Sequence, residues 1–355
     1  MMRDIVILLS AAGSQTMPGQ LRCFRNNKER NIKIVGVDMC EDPTVGFMVD
    51  EFYHVPPVSD EGYIDIILDI CKKEKVDVYF PNISAEVTKA AERSDEFKAL
   101  GTVVSIADLS AVEVLNNKLR MYETLSAAGI SVPRFYAVHS LEDFEKGCSE
   151  LGYPDLPVCL KLTGNSGSRG VRIIDSKRDR YEIFAHEKPN SFFISYEEMF
   201  AILRSAKKLD EMMLVEYMPG NEYTVDLLAE NGKVLYIAGR ENFVSMMSIA
   251  QQSVTADDTA AYDISRRTVS LLGYSGNIGF DFMRAADGTP MLMDINPRLT
   301  ATVSLIAAAG INLPYLRVKQ LLGEPLTEHK LLTGVRLTRR YGEYFSDPSG
   351  NEIEF

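Results

Sequence analysis

The first 108 residues alternate between short apolar runs and amphipathic stretches, and this constrains the fold more than any other feature. "DIVILLSAAG" (4–13) is a continuous apolar run ending in small residues, as a strand covered on both faces requires. "KIVGVDM" (33–39), "VDVYFPN" (76–82) and "GTVVSIAD" (101–108) repeat it, while "GYIDIILDICKKEK" (62–75) and "SAEVTKAAERSDEFKAL" (84–100) read as helices. Strands separated by helices predict a doubly wound parallel sheet. Asp38, ending the second strand, invites an NAD-dependent oxidoreductase reading, but the first turn, "SAAGSQTMPG", lacks GxGxxG.

From about residue 109 the pattern changes. "LSAVEVLNNKLRMYETLSAAGI" (109–130) reads as one helix stopped at Gly129, "SVPRFYAV" (131–138) as extended, and "SLEDFEKGCSEL" (140–151) as a helix capped by Ser140. "LPVCLKL" and "GVRIID" flank a glycine-rich stretch as in a hairpin. Two longer hairpins turn at Asn231-Gly232 and Asp287-Gly288. The second part is therefore a mixed, largely antiparallel α+β region without internal repeats.

At 355 residues the chain exceeds one typical core, so two or three subdomains are expected. A net charge of -12 argues against a general nucleic-acid or anionic-membrane binder, since both need a basic surface. Five scattered cysteines (Cys23, Cys40, Cys71, Cys148, Cys159) form no CxxC pair and predict reduced thiols in a cytoplasmic protein. The start of the chain reads as a first strand, not a signal peptide, and no apolar run approaches the roughly 20 residues of a membrane span.

Three clusters carry candidate chemistry. "KLTGNSGSRGV" (161–171) places Gly164, Gly167 and Gly170 at intervals of three among Ser166 and Ser168, so backbone N–H groups and hydroxyls can approach phosphate oxygens. It is not a Walker A loop, for it lacks GK[ST] and runs strand to strand. Lys161, ending an apolar strand, could meet a polyphosphate. In "LVEYMPGNEYTVD" (214–226), Glu216 closes one strand and Glu222 opens the next, and the hinge can read an adenine edge through its backbone. In "GFDFMRAADGTPMLMDINPR" (279–298), the hairpin arms bring Asp281 and Met283, and Leu292, Asp294 and Asn296, to neighbouring strands. Two carboxylates and an amide oxygen are hard ligands for Mg²⁺, and paired inner-face acids are costly without a cation. Met283 and Leu292 could wall a purine.

Together these clusters resemble the ATP-grasp superfamily, and in particular single-module proteins similar to half of a carbamoyl-phosphate synthetase large subunit. The resemblance covers nearly the whole chain, including "NKLRMYETLSAAGISVPRFY" and "DINPR". It implies a pre-ATP-grasp domain (1–110), an ATP-grasp domain (111–345, divided at 157 and 217) and a tail (346–355). It also implies roles. Lys118 and Lys161 hold the nucleotide, with Gly164, Ser166, Gly167, Ser168 and Gly170 closing over its phosphates. Glu216, Tyr217 and Met218 form the adenine hinge, and Glu222 takes the ribose. Asp281, Asp294 and Asn296 bind one or two Mg²⁺ (or Mn²⁺), and Arg298, Lys161 and Arg240 are catalytic. The implied activity is ATP-dependent ligation of a carboxylate or bicarbonate to an amine through an acyl phosphate. A small-molecule kinase or a nucleotide-binding protein with reduced chemistry is the alternative, and a homodimer is expected.

Three positions depart from the family pattern. Asp294 replaces the usual Glu, Asn117 the common Asp before the lysine, and "ENFVSMMSIAQQ" lacks an expected arginine and glycine. A single module without a glutaminase points away from carbamoyl-phosphate synthesis and toward an amino-acid or peptide-like substrate. Asp38, Asn82, Glu86 and the arginines of "GVRLTRRYGEYF" are its candidate contacts.

Overall fold

The computed structural model describes residues 2–354 except 165–168, 189–190, 247–248 and the side chain of Pro43. They form two compact units.

The first unit comprises residues 1–113, 223–281 and 295–355. It opens with five parallel strands, β1 (Ile5–Ser10), β2 (Ile32–Asp38), β3 (Glu51–His54), β4 (Val78–Phe80) and β5 (Val103–Val104), in the order β3-β2-β1-β4-β5. Helices α1 (Met17–Arg25), α2 (Tyr63–Glu74), α3 (Ser84–Glu92) and α4 (Ser94–Ala99) make the crossovers. The expected helix over 84–100 is thus two, broken at Arg93, whose ψ of 21° leaves the helical range. β3 was not expected: its side chains are exposed or half-buried, so "EFYH" carries no apolar run.

The same unit holds most of a six-stranded sheet. Its strands β11 (Glu222–Glu230), β12 (Lys233–Met246), β13 (Ile249–Thr255), β14 (Gly276–Arg284), β15 (Pro290–Asn296) and β16 (Arg336–Thr338) are ordered β15-β14-β11-β12-β13-β16. Asn231 and Gly232 both take left-handed φ (48° and 76°), as a type I′ turn needs. Helices α10 (Thr259–Leu271), α11 (Val303–Ala308) and α12 (Leu313–Leu321) complete it. One face of the parallel sheet (Ile5, Ile7, Leu9, Ile34, Phe80) shares a core with Leu228, Leu299, Ile306, Leu316 and Val318; the other packs on α2 and α4 through Ile67, Tyr79 and Phe97.

The second unit comprises residues 114–222 and 282–294. Its sheet contains β6 (Phe135–Val138), β7 (Val158–Leu162), β8 (Val171–Ile174), β9 (Phe193–Ile194) and β10 (Met212–Glu216), in the order β6-β10-β7-β8-β9. β7 and β8 form the expected antiparallel hairpin. Around it lie α6 (Lys118–Ala127), α7 (Leu141–Glu150), α8 (Arg180–His186) and α9 (Tyr196–Ser205), with α5 (Leu109–Leu115) leading in. Ser140 caps α7 through Asp143 N, as expected. The helix expected over 109–130 breaks between α5 and α6, where Asn117 is extended and accepts a hydrogen bond from Arg120 N. Among the described residues no helix is long and apolar enough to cross a membrane.

Candidate functional site

In the second unit, Lys161 lies on β7, flanked in register by Met213 of β10 and Val171 of β8. It is 8% exposed and has no hydrogen-bond or ion-pair partner among the described residues. A buried ammonium without a counter-ion is costly, so the position favours an anion. Gly170, where the hairpin returns, has φ +71°, and a Cβ there would overlap the Leu162 side chain. Around Gly164 there is open space. Ser166, Gly167 and Ser168 lie outside the described residues.

Lys118 opens α6 with its backbone N–H on Thr163 O (3.0 Å) and its Nζ 3.1 Å from Asp294 Oδ2. The nucleotide lysine and the metal aspartate expected from sequence therefore meet as an ion pair. Glu216 ends β10, and its carboxylate accepts hydrogen bonds from Arg134 N (2.8 Å) and Nε (2.9 Å). Met218 is buried, and Tyr217 is half-buried with its ring edge-on to Phe193. Gly220 N donates to Arg284 O (2.9 Å), an approach too close for a Cβ. Glu222 and Met283 are partly exposed, whereas Leu292 is wholly buried, its carbonyl accepting from Tyr122 Oη (3.0 Å).

In the first unit, Asp281 accepts from Thr224 Oγ1 and from Asn296 Nδ2, both at 2.9 Å. Asn296 Oδ1 in turn accepts from Arg298 Nη2 (3.1 Å). Arg240 is 3% exposed, and its guanidinium is held by Asp226 (3.1 Å), Asn242 (2.7 Å) and Thr300 (3.4 Å). Asn242 donates to Thr224 Oγ1 (3.0 Å), so a continuous relay runs from Arg240 through Asn242, Thr224 and Asp281 to Asn296 and Arg298. Burial and the nearby Arg240 lower the Arg339 pKa; Arg339 is bound to the carbonyls of Ala250 and Ala301. Arg336 and Arg340 are exposed.

The other expected substrate contacts are internally engaged. Asp38 accepts from Gly13 N and Cys40 N, and Asn82 donates to Ser10 O and Gln20 Oε1. Glu86 is fully buried under the hydroxyls of Ser10, Tyr63 and Tyr79, and burial raises its pKa. Its carboxylate holds the end of β4 to α3 and faces no solvent.

The sequence reading missed Thr224, Asp226, Asn242, Thr300 and Arg134. The signal was present on β11 and β12, where Thr224 and Asp226, and Arg240 and Asn242, stand two apart and so share a face. No group of three or more His, Cys, Asp or Glu side chains gathers for a metal among the described residues. In the first unit the Asp281 carboxylate is bonded to the Asn296 amide, and in the second the Asp294 carboxylate lies beside Lys118. Each is a hard oxygen group that suits Mg²⁺ and not a soft metal.

Residues 208–340 match the family model described as ATP-grasp in the biosynthetic pathway with Ter operon, and residues 7–105 match the PylC-like N-terminal domain. The arginine-specific carbamoyl phosphate synthase large chain of Geobacillus stearothermophilus is 20% identical over 81% of this chain, which spans 26% of that protein. The formate-dependent phosphoribosylglycinamide formyltransferase of Ignicoccus hospitalis is 25% identical over 85% of this chain and 72% of its own length. This chain therefore spans about a quarter of the synthase large chain it matches. In fold it is similar to N5-carboxyaminoimidazole ribonucleotide synthetase in its ADP complex (TM-score 0.64, 17% identity, 93% of this chain and 79% of that one). It is also similar to the biotin carboxylase domain dimer of Hydrogenobacter thermophilus 2-oxoglutarate carboxylase, solved with MgADP, ADP and bicarbonate (TM-score 0.67, 17% identity, 93% and 72%).

Proposed function

We propose that this chain, which belongs to the ATP-grasp superfamily, is a Mg·ATP-dependent ligase that joins a carboxylate to an amine through an acyl phosphate. The observation that carries the reading is Lys161, a buried ammonium without a partner among the described residues, beside the glycine-rich hairpin. The ADP complexes of the structural neighbours and the synthase and transformylase relatives support it.

In this reading Lys161 and Lys118 meet the nucleotide phosphates, and Gly164 and Gly170 leave room for them at the two ends of the glycine-rich stretch. The backbone at 217–218 reads the adenine, and Glu222 accepts from the ribose. Asp281 and Asn296 of the first unit and Asp294 of the second would offer oxygen ligands to magnesium, which would neutralise phosphate charge. Lys118 exchanges Asp294 for a phosphate as the nucleotide enters. Arg298, oriented by Asn296, faces the transferred phosphoryl group. Arg240, sequestered from solvent, acts through the relay that fixes Asp281 and Asn296. The chain contributes position and electrostatics, without a covalent nucleophile. The acid is an amino acid or peptide-like carboxylate, the amine is a second small molecule, and the working form is a homodimer.

A screen of acid and amine pairs for ADP release, with mass detection of the product, tests the proposal. An amide product is expected. A phosphorylated end product would make the protein a kinase, and turnover unchanged by Lys161→Ala or Asp294→Ala would sink the nucleotide assignment.

A further inference from the structure

The departure at Asn117 has a structural counterpart in the second unit. Asn117 Nδ2 donates to Glu211 Oε2 at 2.6 Å, and Thr163 Oγ1 donates to the same oxygen at 2.6 Å. Three backbone and capping bonds surround this point. Thr163 N donates to Glu211 O (3.1 Å), Lys118 N donates to Thr163 O (3.0 Å), and Asn117 Oδ1 caps α6 through Arg120 N (2.9 Å). Glu211 precedes β10, Thr163 follows β7 at the root of the glycine-rich stretch, and Asn117 precedes the nucleotide lysine Lys118. One carboxylate thus ties the helix end carrying Lys118 to the strand end carrying Lys161.

We infer that Glu211 is a positioning residue for the nucleotide, and that Asn117 is an amide because it must donate to Glu211. An aspartate at 117 would keep the helix cap, since Asn117 Oδ1 is the capping atom. It would, however, set two carboxylates in hydrogen-bond contact, and like charges at that distance repel. The usual acid before the lysine is therefore incompatible with an acid at 211. The lowered pKa of Glu211, set first by the Thr163 hydroxyl and then by the Asn117 amide, accords with a carboxylate held in its charged form. Hydrogen bonds to a charged group are the stronger kind. The inference rests on the reading of Lys118 and Lys161 as phosphate ligands.

The pairing makes an asymmetric pattern among conservative variants. Glu211→Gln keeps an oxygen for Asn117 and Thr163 but loses the charge that strengthens both bonds, so it loosens the tie modestly. Asn117→Asp opposes two acids and displaces the start of α6. Combining the two restores a donor–acceptor pair with the roles exchanged: the amide introduced at 211 donates to the acid introduced at 117. The Thr163 hydroxyl can meanwhile turn to Glu211 O, 3.3 Å away.

Titration calorimetry with Mg·ADP, and melting temperatures of the nucleotide-free proteins, read the pattern in the full chain. The Kd is expected to rise a few-fold in Glu211→Gln, by about tenfold or more in Asn117→Asp, and to return most of the way toward the Glu211→Gln value in the double variant, scaled to a charge-assisted contact. A purely structural role would lower the melting temperature of both single variants without rescue. Asn117→Asp binding Mg·ADP as tightly as wild type, or a folded double variant no better than Asn117→Asp, overturns the clamp. Wild type that fails to bind Mg·ADP overturns the nucleotide reading, and the positioning role with it.

Discussion

At the scale of single residues, the most consequential group is Lys161, because its burial is favourable only when an anion arrives. Lys161→Met removes the cation and keeps the apolar stem. It is expected to leave the melting temperature unchanged or raised, while Mg·ADP no longer raises it. A variant stabilised by Mg·ADP as much as wild type would remove Lys161 from the site. Lys118 makes a different prediction, since it already neutralises Asp294 at 3.1 Å. Lys118→Met should weaken Mg·ADP binding about tenfold, on the order of one charge-assisted contact. The same change should strengthen binding of Mn²⁺ alone, read by its spin-resonance signal, because Asp294 loses its resident cation. Mn²⁺ binding that is unchanged or weaker would refute the exchange. Glu86 gives a pH signature. Its folded pKa is raised by burial, so its contribution to stability is full below the ordinary glutamate range near 4.3 and is lost as pH rises through the raised value. The melting temperature of wild type minus that of Glu86→Gln should therefore grow as pH falls from 7 toward 4. A flat difference would contradict it.

Legibility at the scale of elements follows from what each strand or helix buries. β1 and β2 were readable because both faces are covered, giving uninterrupted apolar runs, and the β11–β12 hairpin was readable because Asn231-Gly232 is a turn with a steric reason. β3 was invisible because an edge strand in "EFYH" buries little. The break between α5 and α6 was missed because Asn117 was read as helix interior; it is extended, caps α6 through Arg120 N and donates to Glu211, 94 residues away. The same holds for the site. Asp281, Asn296 and Arg298 stand on one hairpin and its exit, whereas the relay that orders them needs β11 and β12. Breaking that relay at its buried end has a definite cost. Arg240→Ala leaves Asp226, 2% exposed, without its cation, and should destabilise the protein by about 3–5 kcal/mol in urea unfolding. Replacing both residues by apolar ones of similar size should cost much less. An Arg240→Ala variant as stable as wild type would mean that the pair is not a structural unit.

At the scale of the whole molecule, residues 1–113 form one compact unit with residues 223–281 and 295–355, and one core runs through it. The parallel sheet presents Ile5, Ile7, Leu9, Ile34 and Phe80 to side chains from β11, β12, α11 and α12, and all of these are buried. Two polar ties reinforce that face. Arg30 bonds to Tyr315 and Glu324, and Arg317 reaches Ser105 and Ile106 O, with burial lowering its pKa to about 10. A guanidinium buried among neutral partners is tolerated only while those partners stay in place. The N-terminal segment is therefore expected to unfold together with residues 223–281 and 295–355. Cut free at residue 110, it exposes an apolar sheet face far larger than a soluble monomer carries, roughly beyond a few hundred Å². The expected outcome is that residues 1–110 expressed alone aggregate or bind a hydrophobic dye, and that adding residues 223–355 in trans reduces the dye signal. Phe80→Ala in the full chain should cost about 3–5 kcal/mol, because the cavity forms in this shared core and not at a surface. A soluble, cooperatively melting 1–110 fragment would show instead that the parallel sheet is self-sufficient, and that its face toward α11 and α12 is a docking surface, not a core.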